Sequence, residues 1–299
     1  MKALVTGGAG FIGSHLVDEL VKRKYKVIVI DNLSTGSLNN LKYSKNKIKF
    51  IKGDLLKVRN LKKILKDVDY VFHLAALSKT TESIRFPKKY YENNVVGTLN
   101  ILKLLKKLKI KKFIYSASAS CYGNSKEKFT SENSKIELLS PYALTKWISE
   151  KIILQWSNLY KLPTISLRLF NVYGPRAKAS DEYSGVIGIF LKQNSNNKSL
   201  TVVGNGMQTR SFVYVKDVVD AMILAANSKI YKKIFNVGAK KSIKINELVK
   251  IFKAKKKHIS KRIGEPKNSS ADIRKIKKEL NWTPKIDIKE GINKLIKVV

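Results

Sequence analysis

Two side chains in the sequence have the types and the spacing that suit proton transfer. Tyr142 and Lys146 stand four residues apart in Ser140-Pro141-Tyr142-Ala143-Leu144-Thr145-Lys146, and on a helix that spacing stacks both on one face. A phenol near pKa 10 is a poor base at neutral pH, but a neighbouring ammonium favours phenolate, so Tyr142 is expected to accept a proton from a hydroxyl. Small hydroxyls lie upstream, where Phe113-Ile114-Tyr115 runs into Ser116-Ala117-Ser118-Ala119-Ser120-Cys121-Tyr122-Gly123. As a strand followed by a turn, this run places serines at the carboxyl edge of a sheet, where one of them can hold a reacting hydroxyl in line with Tyr142. Ser116, Ser118 and Ser120 compete for that role, and their spacing does not rank them. Taken alone, Y-x-x-x-K is common, and two residues on a helix surface would account for it.

A second constellation gives the pair a context. Thr6-Gly7-Gly8-Ala9-Gly10-Phe11-Ile12-Gly13 follows a strand-like run and opens a helical one. Glycines are needed there because the backbone must turn sharply, approach a pyrophosphate without a Cβ in the way, and let the helix pack on the strand. The helix N-terminus then offers free N–H groups and the positive end of its dipole to the phosphates. The second strand ends at Asp31, the distance at which an acid takes the ribose hydroxyls of adenosine and repels a 2′-phosphate. NAD is the expected cofactor, favoured over NADP, and its cationic nicotinamide would also favour phenolate at Tyr142. A glycine-rich turn without a ligand is the plainer account, and the strand, helix and acid around it argue against that.

The elements that must position these residues alternate along the chain. Lys2 to Thr6, Lys26 to Asp31, Lys47 to Lys52, Asp69 to Ala75, Lys111 to Ala117 and Pro163 to Phe170 read as strands. Ile12 to Lys24, Asn94 to Leu108 and Tyr142 to Tyr160 carry helical periodicity. The pattern predicts an α/β fold, a Rossmann-like doubly wound parallel sheet with a smaller C-terminal substrate-binding domain. After Phe170 the sequence reads as loops rich in Gly, Asn, Ser and Lys, with extended pieces at Leu200 to Val203 and Phe212 to Val215. The expected division is a cofactor domain over 1–170, to which segments around 212–238 return, and a lid domain over 171–299.

Composition bounds the rest. With 299 residues, 43% hydrophobic and 27% charged, the chain can bury a full core. It has no apolar run near the roughly 20 residues of a membrane span and no secretory pattern at its start, so the cytoplasm is the expected address. One cysteine, Cys121, and three histidines predict no disulfide and no metal site. The net charge of +38 points by reflex to nucleic acid, but only eight of the 60 basic residues are arginine, and the lysines are spread through every segment. A phosphate-reading surface would use more arginines and interleaved aromatics, so no specific nucleic acid is expected. The dense runs Lys103 to Lys112 and Lys253 to Arg262 read as solvated helix faces, with Leu102, Leu105 and Leu108 opposite. In such a chain, arginines kept at Arg168, Arg176, Arg210 and Arg262 suggest guanidinium forks aimed at a diphosphate.

Further strings match in order along nearly the whole chain: DNLSTG at Asp31 to Gly36, GDL at Gly53 to Leu55, HLAA at His73 to Ala76, NNVVGT at Asn93 to Thr98, RLFNVYGPR at Arg168 to Arg176, QTRSFVYVKDV at Gln208 to Val218 and ADIRKIKKELNWTP at Ala271 to Pro284. With the loop, the serines and the Tyr/Lys pair, they resemble the extended short-chain dehydrogenase/reductase superfamily, and within it the UDP-glucose/UDP-N-acetylglucosamine 4-epimerases. The resemblance implies Ser118, Tyr142 and Lys146 as catalytic residues. It implies cofactor contacts from Gly7, Gly10, Phe11, Ile12, Gly13, Asp31, Asn32, Asp54, Leu55, Ala75, Asn94 and Lys146, and substrate contacts from Ser118, Tyr142, Asn171, Arg210, Arg262 and Ser269. Ser269 falls at the position that gates the sugar pocket. A UDP-sugar substrate and a homodimer through the Asn94 to Leu108 and Tyr142 to Tyr160 helices are likewise implied. Ser211, Gly188 and Pro266-Lys267-Asn268 depart from the family pattern around the sugar and base contacts.

Other readings are a 4,6-dehydratase, a glucuronate epimerase or a decarboxylase. The dehydratases follow the catalytic Thr with an Asp-Glu pair, and the decarboxylases carry a Glu at the second of those positions. Ala119 and Ser120 stand there instead, which leaves no acid to assist loss of the 6-hydroxyl. A non-catalytic Rossmann protein that binds RNA through its basic surface is a third class, and intact Ser118, Tyr142 and Lys146 argue against it.

Overall fold

The computed structural model describes residues 1–57, 61–106, 108–177, 185–260 and 266–297. Its centre is a parallel sheet of seven strands: β1 (Lys2–Thr6), β2 (Lys26–Asp31), β3 (Ile48–Lys52), β4 (Tyr70–His73), β5 (Lys112–Ser118), β6 (Thr164–Leu169) and β7 (Lys233–Val237). Their order across the sheet is β7-β6-β5-β4-β1-β2-β3. Runs such as Ala3-Leu4-Val5 and Val27-Ile28-Val29-Ile30 are buried without alternation, as strands covered on both faces must be. Register is pinned by pairs such as Leu4 with Ile28 and Val5 with Phe72. β1 lies between β2 and β4, so the strand order reverses there, and the crevice over the carboxyl ends of β1 and β4 is where such a sheet takes ligands.

Helices close both faces. On one side Leu16, Val17 and Leu20 of the helix Phe11–Lys22 pack with Val218, Val219 and Met222 of the helix Val215–Asn227. On the other, Ile101, Leu102 and Leu105 meet Ile153 of the long helix Pro141–Tyr160. A further core gathers Tyr173, Phe190, Leu200, Val202, Phe212, Leu248, Phe252 and Ile292.

Three sequence expectations are corrected. The region after Phe170 is not mainly loop, since helices span Val186–Ser195, Val215–Asn227, Ile245–Phe252, Arg274–Leu280 and Ile288–Ile296. The described part of the Lys253 to Arg262 run is not a helix face: Lys256–Ile259 is a strand paired with Leu200–Val203. Lys112 is buried rather than solvated, and its ammonium donates to the carbonyls of Ser228 and Ile230 at 2.9 and 2.5 Å, which satisfies the end of a neighbouring helix. The Asn94 to Leu108 stretch begins as a π-turn over Tyr91–Val96 before the α-helix Gly97–Leu105. Among the described residues no helix is long and apolar enough to cross a membrane, and no group of three or more acidic, histidine or cysteine residues could hold a metal ion.

Candidate active site and cofactor cleft

The glycine-rich turn does what its sequence suggests. Gly7 has φ +70°, and a Cβ there would lie 2.7 Å from the Ala75 amide nitrogen; a Cβ on Gly13 would collide with the Gly7 carbonyl. Both positions therefore exclude any larger residue, and the backbone stays bare up to the start of the helix at Phe11. Asp31 fastens the turn: its carboxylate accepts from the amides of Ala9 at 2.9 Å and Leu33 at 2.8 Å. Asn32 donates to Asp54 at 3.0 Å, which ties the ends of β2 and β3 together beside it.

The helix carrying Tyr142 and Lys146 is started by local chemistry. Ser140 caps it through the Ala143 amide at 3.2 Å, Pro141 occupies the first turn, and the orphan amide of Tyr142 donates to Ser83 Oγ at 3.1 Å. Across from it, β5 ends at Ser118, whose hydroxyl accepts from the Ser120 amide at 3.2 Å and caps the short turn Ala119–Tyr122. Of the three candidate serines, Ser118 is the one close enough to the Tyr142 phenol to oppose the rise of its pKa. Ser120 Oγ is buried with no hydrogen-bond partner.

One cavity of about 710 Å³ brings these parts together. Its lining includes Gly7, Gly10, Phe11, Ile12, Gly13, Asp31, Asn32, Asp54, Leu55 and Ala75 from the cofactor set, Ser118, Tyr142 and Lys146 from the catalytic set, and Asn171, Arg210 and Ser269 from the substrate set. Asn94 is not on that wall. Its side chain is bound to Leu77 N and O at 2.8 and 3.0 Å and to Thr145 Oγ1 at 3.0 Å, so it braces the cavity from behind while Asn93 faces it. Arg262 lies outside the described residues.

Residues 3–238 match the family described as NAD dependent epimerase/dehydratase. The chain belongs to that family. A putative UDP-glucose 4-epimerase of Methanocaldococcus jannaschii is 40% identical over 98% of this chain and 96% of its own length. The UDP-glucose 4-epimerase of Thermotoga maritima, solved with UDP-glucose, superposes with a TM-score of 0.94 at 34% identity, covering 99% of this chain and 98% of the other. The UDP-N-acetylglucosamine 4-epimerase of Methanobrevibacter ruminantium, solved with UDP-N-acetylmuramic acid, gives 0.93 at 36% identity over 100% and 99%. Proteins named UDP-glucuronate 4-epimerase and UDP-N-acetyl-alpha-D-glucosaminuronate decarboxylase are also relatives, at 34% and 32% identity.

The family's NAD fits what this chain builds. Gly7 and Gly13 leave a cradle that a Cβ would fill, and the cradle opens on a helix N-terminus. At the rim stands the Asp31 carboxylate, where a 2′-phosphate would bring further negative charge. NADP is therefore expected to bind at least about tenfold more weakly than NAD, ~1.4 kcal/mol. Calorimetry on the cofactor-stripped protein checks this, and equal affinities would remove Asp31 as the discriminator.

Electrostatics in the family's Tyr/Lys pair depart from the sequence expectation. Burial pushes the Tyr142 phenol up, with Ser118 opposing it. Burial also pulls the Lys146 ammonium down to about 7, against the pull of the Glu150 carboxylate. Loss of water around each side chain is the first cause of both shifts. Arg168 is another correction. It does not face the cavity: it is buried, bidentate on Glu150 at 2.9 and 2.6 Å, and donates to Tyr122 at 2.8 Å. Arginine is needed there for a carboxylate fork rather than a phosphate. Arg176 lines the cavity and gives one nitrogen to Asp18 at 2.6 Å.

Proposed function

We propose that this protein interconverts UDP-glucose with UDP-galactose, and UDP-N-acetylglucosamine with UDP-N-acetylgalactosamine, by transient oxidation at sugar carbon 4. The observation that carries this reading is that Ser118, Tyr142 and Lys146 share one cavity with the glycine-rich turn, Arg210 and Ser269, with no acidic residue in the two positions after Ser118. Ser118 holds the sugar 4-hydroxyl and Tyr142 Oη accepts its proton, later returning it. NAD held by the turn from Gly7 to Gly13 and by Asp31 would supply the hydride acceptor and donor for carbon 4. Lys146 stabilises the negative charge that develops on Tyr142. Asn171 and Arg210 hold the diphosphate, which leaves the sugar as the part able to turn over.

Arg210 suits that anchoring role. It is 8% exposed, and its Nη1 is fixed by the Thr209 carbonyl at 2.9 Å and the Lys267 carbonyl at 3.4 Å. Arg210→Ala is expected to weaken UDP-sugar binding by ~1.5–3 kcal/mol, the value of charge-assisted hydrogen bonds. The Michaelis constant would rise about ten- to a hundredfold with kcat less affected. An unchanged Michaelis constant contradicts the assignment.

The reading is tested by incubating the protein with UDP-glucose, UDP-N-acetylglucosamine and UDP-glucuronate and following products by proton NMR. Approach to equilibrium with the 4-epimers of the first two is expected. Turnover confined to UDP-glucuronate, a 4-keto-6-deoxy product or a decarboxylated pentose would each replace this reading with the corresponding family activity.

A further inference from the structure

Lys146 is 4% exposed and lies on the cavity wall. Among the described residues no group accepts a hydrogen bond from its Nζ and no carboxylate forms an ion pair with it. Glu150, one turn on, commits both oxygens to Arg168 at 2.9 and 2.6 Å. What the ammonium touches is a ring, since Nζ lies 4.3 Å from the centroid of Tyr115 on β5. The Tyr115 hydroxyl reaches the Lys146 carbonyl only at 3.4 Å, a long and weak contact beside the ring's approach to the charge.

The ring itself is held by a neutral neighbour. His73, at the end of β4, stacks on Tyr115 with centroids 5.7 Å apart at 24°. Its nitrogens meet Thr6 Oγ1 at 2.8 Å and Thr98 Oγ1 at 2.9 Å. Thr98 gives its own hydrogen to the Asn94 carbonyl at 2.6 Å, so it can only accept from His73 Nε2–H, and Nδ1 then accepts from Thr6. That fixes a single uncharged tautomer, and burial, with the nearby Lys146 charge, holds the imidazole down to about 3. The titratable groups facing Lys146 are thus Tyr142 and Glu150 on its own helix, neutral His73 from β4 and Tyr115 from β5. An ammonium over a desolvated aromatic face is attracted by the ring quadrupole.

We propose that Tyr115 is a positioning residue for the reaction: the π face of its ring seats the Lys146 ammonium one turn from Tyr142 and favours its charged form on a wall that excludes water. The catalytic consequence rests on the proposed epimerase reading; the seat itself can be measured without substrate. Trace acetylation of the purified protein across pH, read peptide by peptide by mass spectrometry, gives the Lys146 titration midpoint. Tyr115→Phe keeps the π face and is expected to keep the wild-type midpoint. Tyr115→Leu is expected to lower it by about one pH unit, a tenfold loss of the charged form. With substrate, the basic limb of kcat should move down in pH by a similar amount in the Leu variant, with the Michaelis constant little changed. If Tyr115→Leu fails to fold, phenylalanine analogues carrying one, two and three fluorines at position 115 weaken the quadrupole at nearly constant shape, and the midpoint should fall stepwise. A midpoint unmoved in the Leu variant or along the fluorine series, or a Phe variant that falls as far as Leu, overturns the proposal. A midpoint that shifts as expected in a protein that epimerises no UDP-sugar leaves the seat standing and removes the reaction.

Discussion

Tyr142→Phe is expected to lower turnover by about a thousandfold while the protein stays folded and keeps its cofactor. A positioned acid–base group is worth roughly 10²–10⁴ in rate, and the substitution removes only the phenol oxygen. Nothing that builds the helix depends on that oxygen: the Ser140 cap, Pro141 and the bond from the Tyr142 amide to Ser83 all involve other atoms. The cofactor end of the cavity is formed by the turn from Gly7 to Gly13 and by Asp31, which the ring does not reach through hydrogen bonds. The change should therefore fall on kcat, with substrate and NAD affinity nearly preserved. Turnover per bound NAD, measured with the cofactor quantified after release, separates this from simple loss of NAD. A variant within tenfold of wild type would mean that another group takes the proton.

The parts of this site legible in the sequence are those set by local backbone geometry. Gly7 and Gly13 announce themselves because any Cβ would strike Ala75 or Gly7, and the four-residue spacing of Tyr142 and Lys146 needs only a helix. The β1 to β6 strands were readable for a similar reason, as short apolar runs at the centre of a parallel sheet. What the sequence hid depends on contacts between distant segments. Lys112 looks like one more surface lysine until Ser228 and Ile230 arrive from a helix end 116 and 118 residues away. Arg168 resembles a phosphate ligand until Glu150 is seen beneath it. The helix Val215–Asn227 is a different kind of omission. Val215, Val218, Val219, Met222 and Ala226 carry a helical period in the sequence and all are buried, but the Gly-, Asn-, Ser- and Lys-rich stretches elsewhere after Phe170 make the whole region read as loop. Residue spacing leaves Ser116, Ser118 and Ser120 level; the family resemblance points to Ser118, and in the fold Ser118 is the one beside the Tyr142 phenol.

Ser269→Tyr is expected to abolish turnover of UDP-N-acetylglucosamine and leave UDP-glucose largely active. Ser269 lines the cavity, half-buried, in a two-residue strand that pairs with Thr209–Arg210 and so stands beside the residue proposed to hold the diphosphate. A serine leaves room there for a 2-acetamido group, and a pocket cannot strongly reject a substrate that fits with space to spare, so the wild type should accept both sugar pairs. Tyrosine would fill that space. The wall is not free to retreat, because the next residue is tied to the core: the Ser270 carbonyl accepts from the Thr130 amide at 2.7 Å, and the Asp272 amide donates back to the Thr130 carbonyl at 2.9 Å. Asn236 adds a bond to the same Thr130 carbonyl at 2.9 Å, which links the strand to β7. The added ring therefore has to project into the cavity, where it meets an N-acetyl group but spares the smaller 2-hydroxyl. Kinetics of both substrate pairs on wild type and variant decide the matter. Wild type that ignores UDP-N-acetylglucosamine, or a variant that slows both pairs alike, would show that Ser269 is only a loop residue and that the sugar is sized elsewhere in the cavity.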